Sequence, residues 1–115
     1  MTAVSRMKGS VVAEMSPIPE WIDDRVIAAN STDSITVPSG VDSVLMTTTS
    51  AVWFRKNAGV VVAAVPSGDL SDGKGSLYFS GVGLFEVSPG EVLSFATPAS
   101  AGCTVSLGWF GIGAP

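Results

Sequence analysis

Histidine is absent from this chain, and cysteine occurs once, as Cys103. Without histidine there is no Ser-His-Asp or Cys-His catalytic group, and the usual zinc and iron ligand sets lose their main donor. A lone cysteine makes neither an internal disulfide nor a metal-binding pair. Cys103 lies in an alternating strand pattern and reads as a buried, inert thiol. Charge is scarce too: 14% of residues are charged, where roughly 25% is usual. The six basic residues, Arg6, Lys8, Arg25, Arg55, Lys56 and Lys74, are scattered, and the net charge is −4. Such a chain has no basic face to offer a nucleic acid. No apolar run approaches the ~18–20 residues of a membrane helix, so no membrane partner is expected. The opening residues show no h-region before a small-residue cleavage site, and folding in a reducing cytoplasm is the expectation.

What the chain does have is apolar character. Hydrophobic residues make up 46% of its 115 positions, enough for one domain with its own core. With so little charge, part of that surface is expected to be buried against other subunits.

The chain divides near residue 31. Residues 1–16 show no sustained period. "SPIPEWIDDRVIAAN" predicts one short helix near residues 19–29, with Pro19 in its first turn. Glu20, Asp23 and Asp24 favour its N-terminal half, and Asn30 ends it. Trp21, Ile22, Val26 and Ile27 make no clean stripe, and about ten residues are marginal as a free helix. Residues 1–30 therefore read either as an arm that orders on a partner or neighbouring subunit, or as a disordered tail. Extended, thirty residues reach up to ~100 Å.

Residues 31–115 read as β throughout. The segments "SITVPSG", "VDSVLMTTT", "AVWFRKN", "GVVVAAVP", "SLYFSG", "GLFEVSPG", "EVLSFATP" and "CTVSLGWFGI" are separated by turn residues roughly every 8–12 positions. The continuous run at 59–66 predicts a strand covered on both faces. Cys103, Val105, Leu107 and Trp109 share one side, predicted inward, as do Leu93 and Phe95, with Ser94 outward. Trp53 and Phe54 point to opposite faces. Either Phe54 is left exposed for another subunit, with Arg55 making an intersubunit pair, or a loop or the arm covers both aromatics. The predicted fold is all-β, a single antiparallel β-sandwich, jelly-roll-like, of about seven or eight short strands with an extended N-terminal arm.

Candidate chemistry is thin. "VPSGDLSDGKGS", residues 65–76, nearly matches a phosphate-binding loop from Gly68 to Gly73 and Lys74. Gly75 stands where the Ser or Thr for magnesium belongs, and no helix follows to cradle phosphates. As a calcium loop it has Ser71 and Gly73 where acids are needed and no Glu at the twelfth position. Asp69 and Asp72 leave open a weak surface calcium site or a host-ligand contact; otherwise this is a self-bonded surface loop. Carboxylate pairs such as Glu86 and Glu91 would need a sugar cleft holding them ~5–9.5 Å apart. A catalytic role is therefore not expected, nor any cofactor.

The succession "ITVPSG", "AVWFRKN" and "AVPSGDLSDGKGSLYFSG", closed by "CTVSLGWFG", resembles a class of small all-β virion proteins of tailed bacteriophages. The resemblance spans residues 34–110. It implies a component of the phage particle, made in the host cytoplasm: a capsid decoration (cement) protein that stabilises the head. The alternative is a neck- or tail-associated protein, or a module binding a host glycan or receptor. The partners implied are further copies of itself, as a homotrimer, and the major capsid or other virion proteins. The residues singled out for partner binding are Trp21, Ile22, Val26 and Ile27 in the arm, Phe54 and Arg55, and Asp69 and Asp72 in the loop.

Overall fold

A computed structural model describes residues 18–56 and 61–111. Eight strands follow one another: β1 (Trp21–Ile27), β2 (Thr32–Thr36), β3 (Ser43–Thr48), β4 (Val52–Lys56), β5 (Leu77–Phe79), β6 (Val82–Glu86), β7 (Val92–Ala96) and β8 (Cys103–Phe110). They form two antiparallel four-stranded sheets, sheet I in the order β1-β8-β3-β6 and sheet II in the order β2-β7-β4-β5. Among the described residues there is no helix.

The helix expected near residues 19–29 is therefore a strand. Residues 21–27 pair in register with β8, from Trp21 opposite Trp109 to Ile27 opposite Cys103. The alternation that spoiled a helical stripe suits this pairing. Trp21, Asp23, Arg25 and Ile27 turn toward sheet II, while Ile22, Asp24 and Val26 turn outward. A short helix without an apolar stripe gains little, whereas seven registered positions on β8 satisfy backbone groups and bury Ile27. β1 thus belongs to the sheet, and the arm as expected over residues 1–30 has its last third built into the domain. Residues 1–17 lie outside the described part.

The second revision concerns the run at 59–66. Residues 61–66 form no strand; Ala63 is buried while Val62 and Val65 are exposed. β7 already has β2 on one side and β4 on the other, and β4 takes β5 as its second neighbour. The strands beneath this segment, β7 and β4, have no free edge, and it crosses the outside of sheet II. The other seven expected strands are present.

Both sheets contribute to one core, giving a sandwich-like arrangement. Val44, Met46, Val105, Leu107 and Trp109 come from sheet I, and Val52, Leu93 and Phe95 from sheet II. The inward set expected for β8 and β7 is the observed one. At the β5–β6 end, Phe54 and Phe79 of sheet II meet Phe85 of sheet I edge to face, with ring centroids 5.4–5.9 Å apart, the geometry aromatic quadrupoles favour. The turns Pro38-Ser39-Gly40 and Pro89-Gly90 punctuate the strands. Gly40 and Gly90 adopt φ of 81° and 85°, a region closed to most side chains.

The β1–β2 side carries charge inside the sandwich. Asp23 Oδ2 accepts a hydrogen bond from the buried Trp109 indole N–H at 2.8 Å. Arg25 lies one pair further along with its Nε buried, and Asp33 of β2 faces inward opposite Phe95. Inward charges on edge strands discourage another chain from adding there. The turn between β1 and β2 is tied to β7 through Thr97, whose hydroxyl donates to the Ala28 carbonyl at 2.6 Å and accepts from the Ser31 amide at 3.1 Å.

Candidate functional site

The expected binding residues separate into three places. Ile27 is buried in the core, and Trp21 and Phe54 pack against it partly buried. Of the two alternatives for Phe54, the exposed aromatic is not the one observed: it faces Phe79 and Phe85, while Trp53 turns to the outer side, half-buried and edge to face with Tyr78 at 5.2 Å. Phe54 follows Val52, which is fully buried, so the two-residue period puts Phe54 on the inner side.

Arg55 and the loop residues Asp69 and Asp72 belong to the outer side of sheet II. Arg55 sits opposite Ser94 on β7, and its Nη1 donates to the carbonyls of Gly75 at 2.7 Å and Gly73 at 3.3 Å. The guanidinium therefore holds the chain's own loop, where an intersubunit pair was one expectation. Ser94 faces outward as expected, yet it is only 2% exposed. Residues 61–64 lie over it, and the Ala63 amide donates to its Oγ at 2.7 Å. The Ala64 amide donates to Ser76 Oγ at 3.0 Å, closing the base of the loop. Asp72 Oδ1 accepts from the Lys74 amide at 3.0 Å, a short self-bonded turn. Asp69 and Leu70 project into solvent. The loop encloses an open hollow of 400 Å³ lined by Pro66, Asp69 and Lys74 among its own residues. Among the described residues no three Asp, Glu or Cys side chains converge on one point.

Ile22 and Val26 belong to the third place, the outer face of sheet I. Ile22 of β1, Gly108 of β8, Leu45 of β3 and Leu84 of β6 occupy successive positions of one row across the sheet. Asp24, Ser106, Thr47 and Val82 make the next row, where the Ser106 hydroxyl donates to Asp24 Oδ1 at 2.6 Å. Val26 is 81% and Val82 72% exposed. The small residues of β8 leave the middle of this face shallow. Buried Pro19 fills the place directly above Gly108, where any side chain would collide with its ring. A groove of 280 Å³ runs between Ile18, Pro19 and Ile22 on one flank and Leu45 and Thr47 on the other.

Sequence reading singled out Ile22 and Val26 but passed over Leu45, Val82, Leu84 and Pro19. The signal was present in "GVGLFEV", which carries large apolar residues on both parities. A strand with one wet face would carry them on one.

A fourth feature opens between the sheets at the β5–β6 margin. This cleft of 230 Å³ is lined by Met46, Phe54, Leu77, Phe85 and Leu93, with Lys56 and Glu86 at its lining. Lys56 pairs there with Glu91 at 3.6 Å. Compared with known proteins, the chain matches no family model, no curated protein and no solved structure.

Proposed function

We propose that this chain is a structural protein of a tailed-phage particle, a capsid decoration protein built on an eight-stranded jelly roll. The observation carrying this reading is the pairing pattern. β1 pairs with β8, β2 with β7, β3 with β6 and β4 with β5. That is one long antiparallel ribbon wound into two sheets, the connectivity that recurs in viral capsid and lectin domains. Of those two uses, the exterior favours the structural one. The outer face of sheet I presents exposed aliphatic side chains, Ile22, Val26, Val82 and Leu84.

The margin for contact with further copies in this reading is β5–β6. Leu77, Tyr78 and Val82 are each more than half exposed there, while the opposite margin carries the inward charges of Asp23, Arg25 and Asp33. A closed ring such as a trimer would cover that margin and leave no free edge on it. The test is immunogold electron microscopy of phage particles with an antibody raised against the purified chain, alongside light scattering of the chain in solution. Gold on heads with a trimeric mass is the expected result. Particles without label would overturn the reading.

The loop over sheet II favours one second reading, a host-surface contact, because Asp69 and Leu70 are presented on a loop pinned by Arg55. Glycan-array binding lost on Asp69→Ala would support it, and an array without signal would remove it.

A further inference from the structure

The edge strands of the sandwich are β1 and β6 in sheet I and β2 and β5 in sheet II. On one margin the edges are guarded: Asp23 and Arg25 of β1 and Asp33 of β2 turn inward, which discourages strand addition. β5 and β6 carry no inward charge. Which of their backbone groups are unpaired follows from the bonds on their other side. The Thr48 amide donates to the Gly81 carbonyl at 2.9 Å, and the Val87 amide to the Asp42 carbonyl at 3.1 Å. Bonded pairs alternate along an antiparallel ladder, so Gly83 and Phe85 also bond to β3. The N–H and C=O groups of Val82, Leu84 and Glu86 then point to the open side. By the same alternation, the Thr97–Ser31 and Val37–Glu91 bonds leave Ser94 and Ala96 of β7 to Arg55 and Trp53 of β4. Phe54 and Val52 accordingly bond to Leu77 and Phe79, and Tyr78 is the β5 residue whose backbone groups face the open side. Leu77 faces inward beside Phe54 and is nevertheless 62% exposed, because neither sheet extends past this margin.

We propose that β6 of one copy adds to β5 of the next, antiparallel, with Leu84 opposite Tyr78 of the next copy. The strand directions fit. The Phe79 and Phe85 rings meet at 5.6 Å although only Ser80 and Gly81 join β5 to β6, so the chain doubles back there and the two strands run in opposite senses. A rotation about an axis along the strands therefore brings β6 against the next copy's β5 in the antiparallel sense, at a strand spacing of about 4.8 Å. In this register both open rows are used. Leu84 and Tyr78 exchange two backbone bonds, and Val82 and Glu86 meet Ser80 and Ser76. Phe85 lands beside Leu77 on the inner face and covers it. Glu86 is the only charged residue in the two segments, 76–80 and 82–86, and it faces a serine, so no like charges oppose one another. The pairing rests on the self-association in the reading above, for which it supplies the contact, and three such steps close a ring with no free edge on this margin.

The test is hydrogen exchange by NMR on the full chain, read together with its mass from sedimentation equilibrium. In the multimer the amides of Tyr78, Val82, Leu84 and Glu86 are expected to exchange about tenfold or more slowly than unprotected amides. Leu84→Pro removes an N–H that no bond within the subunit uses, and an edge strand tolerates proline at such a position. This variant is expected to keep its β circular dichroism and to sediment as a monomer. Leu84→Ala, which keeps the N–H, is expected to retain the multimeric mass. A multimer whose four amides exchange as unprotected ones overturns the pairing and leaves the self-association standing. A full chain that stays monomeric at every concentration overturns both. A folded Leu84→Pro chain with undiminished mass overturns the pairing as well.

Discussion

Replacing Ser94 by alanine removes one oxygen from a position whose importance lies in what rests on it. The Ser94 hydroxyl accepts the Ala63 amide at 2.7 Å, and Ser94 and Ala63 are 2% and 1% exposed. The variant leaves a buried N–H with no acceptor and no route to water, which costs about 1–3 kcal/mol. A middle value of about 2 kcal/mol, at roughly 4–6 °C per kcal/mol for a domain of this size, lowers Tm by about 8–12 °C. The loss should also be local. Residues 61–76 are held by this bond, by the Ala64–Ser76 bond and by Arg55, so amide exchange at Ala63 and Ala64 should speed up before that of β7 or β8. Ser34→Ala is the control, since Ser34 is the register partner of Ser94 on β2 but is exposed; its effect should stay within about 0.5 kcal/mol. Urea unfolding of both variants, with hydrogen exchange read residue by residue, decides the matter. If Ser94→Ala is no less stable than Ser34→Ala, or the loop amides exchange as before, the loop is not anchored in this way.

Phe85→Ala removes the only sheet I member of the aromatic trio with Phe54 and Phe79. Because Phe85 is partly buried, the expected cost is about 2–4 kcal/mol, read from urea unfolding. Asp23→Ala takes the acceptor from the buried Trp109 indole and is expected to cost about 1–3 kcal/mol, with a changed Trp emission in the folded state. Thr97→Val keeps the shape but strips the Ala28 carbonyl and Ser31 amide of their shared partner. About 1–2 kcal/mol is expected, with faster amide exchange at Ser31. Gly108→Val puts a side chain where the Pro19 ring sits. Since Pro19 can lift away, the melting temperature should fall by no more than a few degrees, whereas methyl contacts around Leu45 should change outright.

The all-β class was legible from turn chemistry and alternation alone. So was the inward set of β8, because Cys103, Val105, Leu107 and Trp109 recur at period two beside small residues. Those features are local, fixed by φ preferences and by the strand repeat. The misreadings came where local signals were neutral. "WIDDRVI" is a poor helix and an unremarkable strand by itself, and its state was decided by β8, some eighty residues away. "GVVVAAV" has high strand propensity yet forms none among its described residues; it lies over the outside of sheet II, where β7 and β4 have no free edge and the Ala63 amide bonds to Ser94 instead. Whether Trp53 or Phe54 turned inward rested on the register of β4 against β5 and β7, which no pattern within "AVWFRKN" specifies. The loop "VPSGDLSDGKGS" was correctly read as a connection, but the reach of Arg55 to Gly73 and Gly75 depends on a cross-sheet placement.

The apolar row from Ile22 to Leu84 is the clearest case of what sequence could not assemble. Its four members come from four strands between residues 22 and 108. Sequence by itself determined which residues prefer strands and turns, since those preferences are settled within a few bonds. Only the tertiary structure decided which strands became neighbours and therefore which aliphatic side chains gathered on one exposed face, because pairing is a competition among distant segments for a limited number of sheet edges.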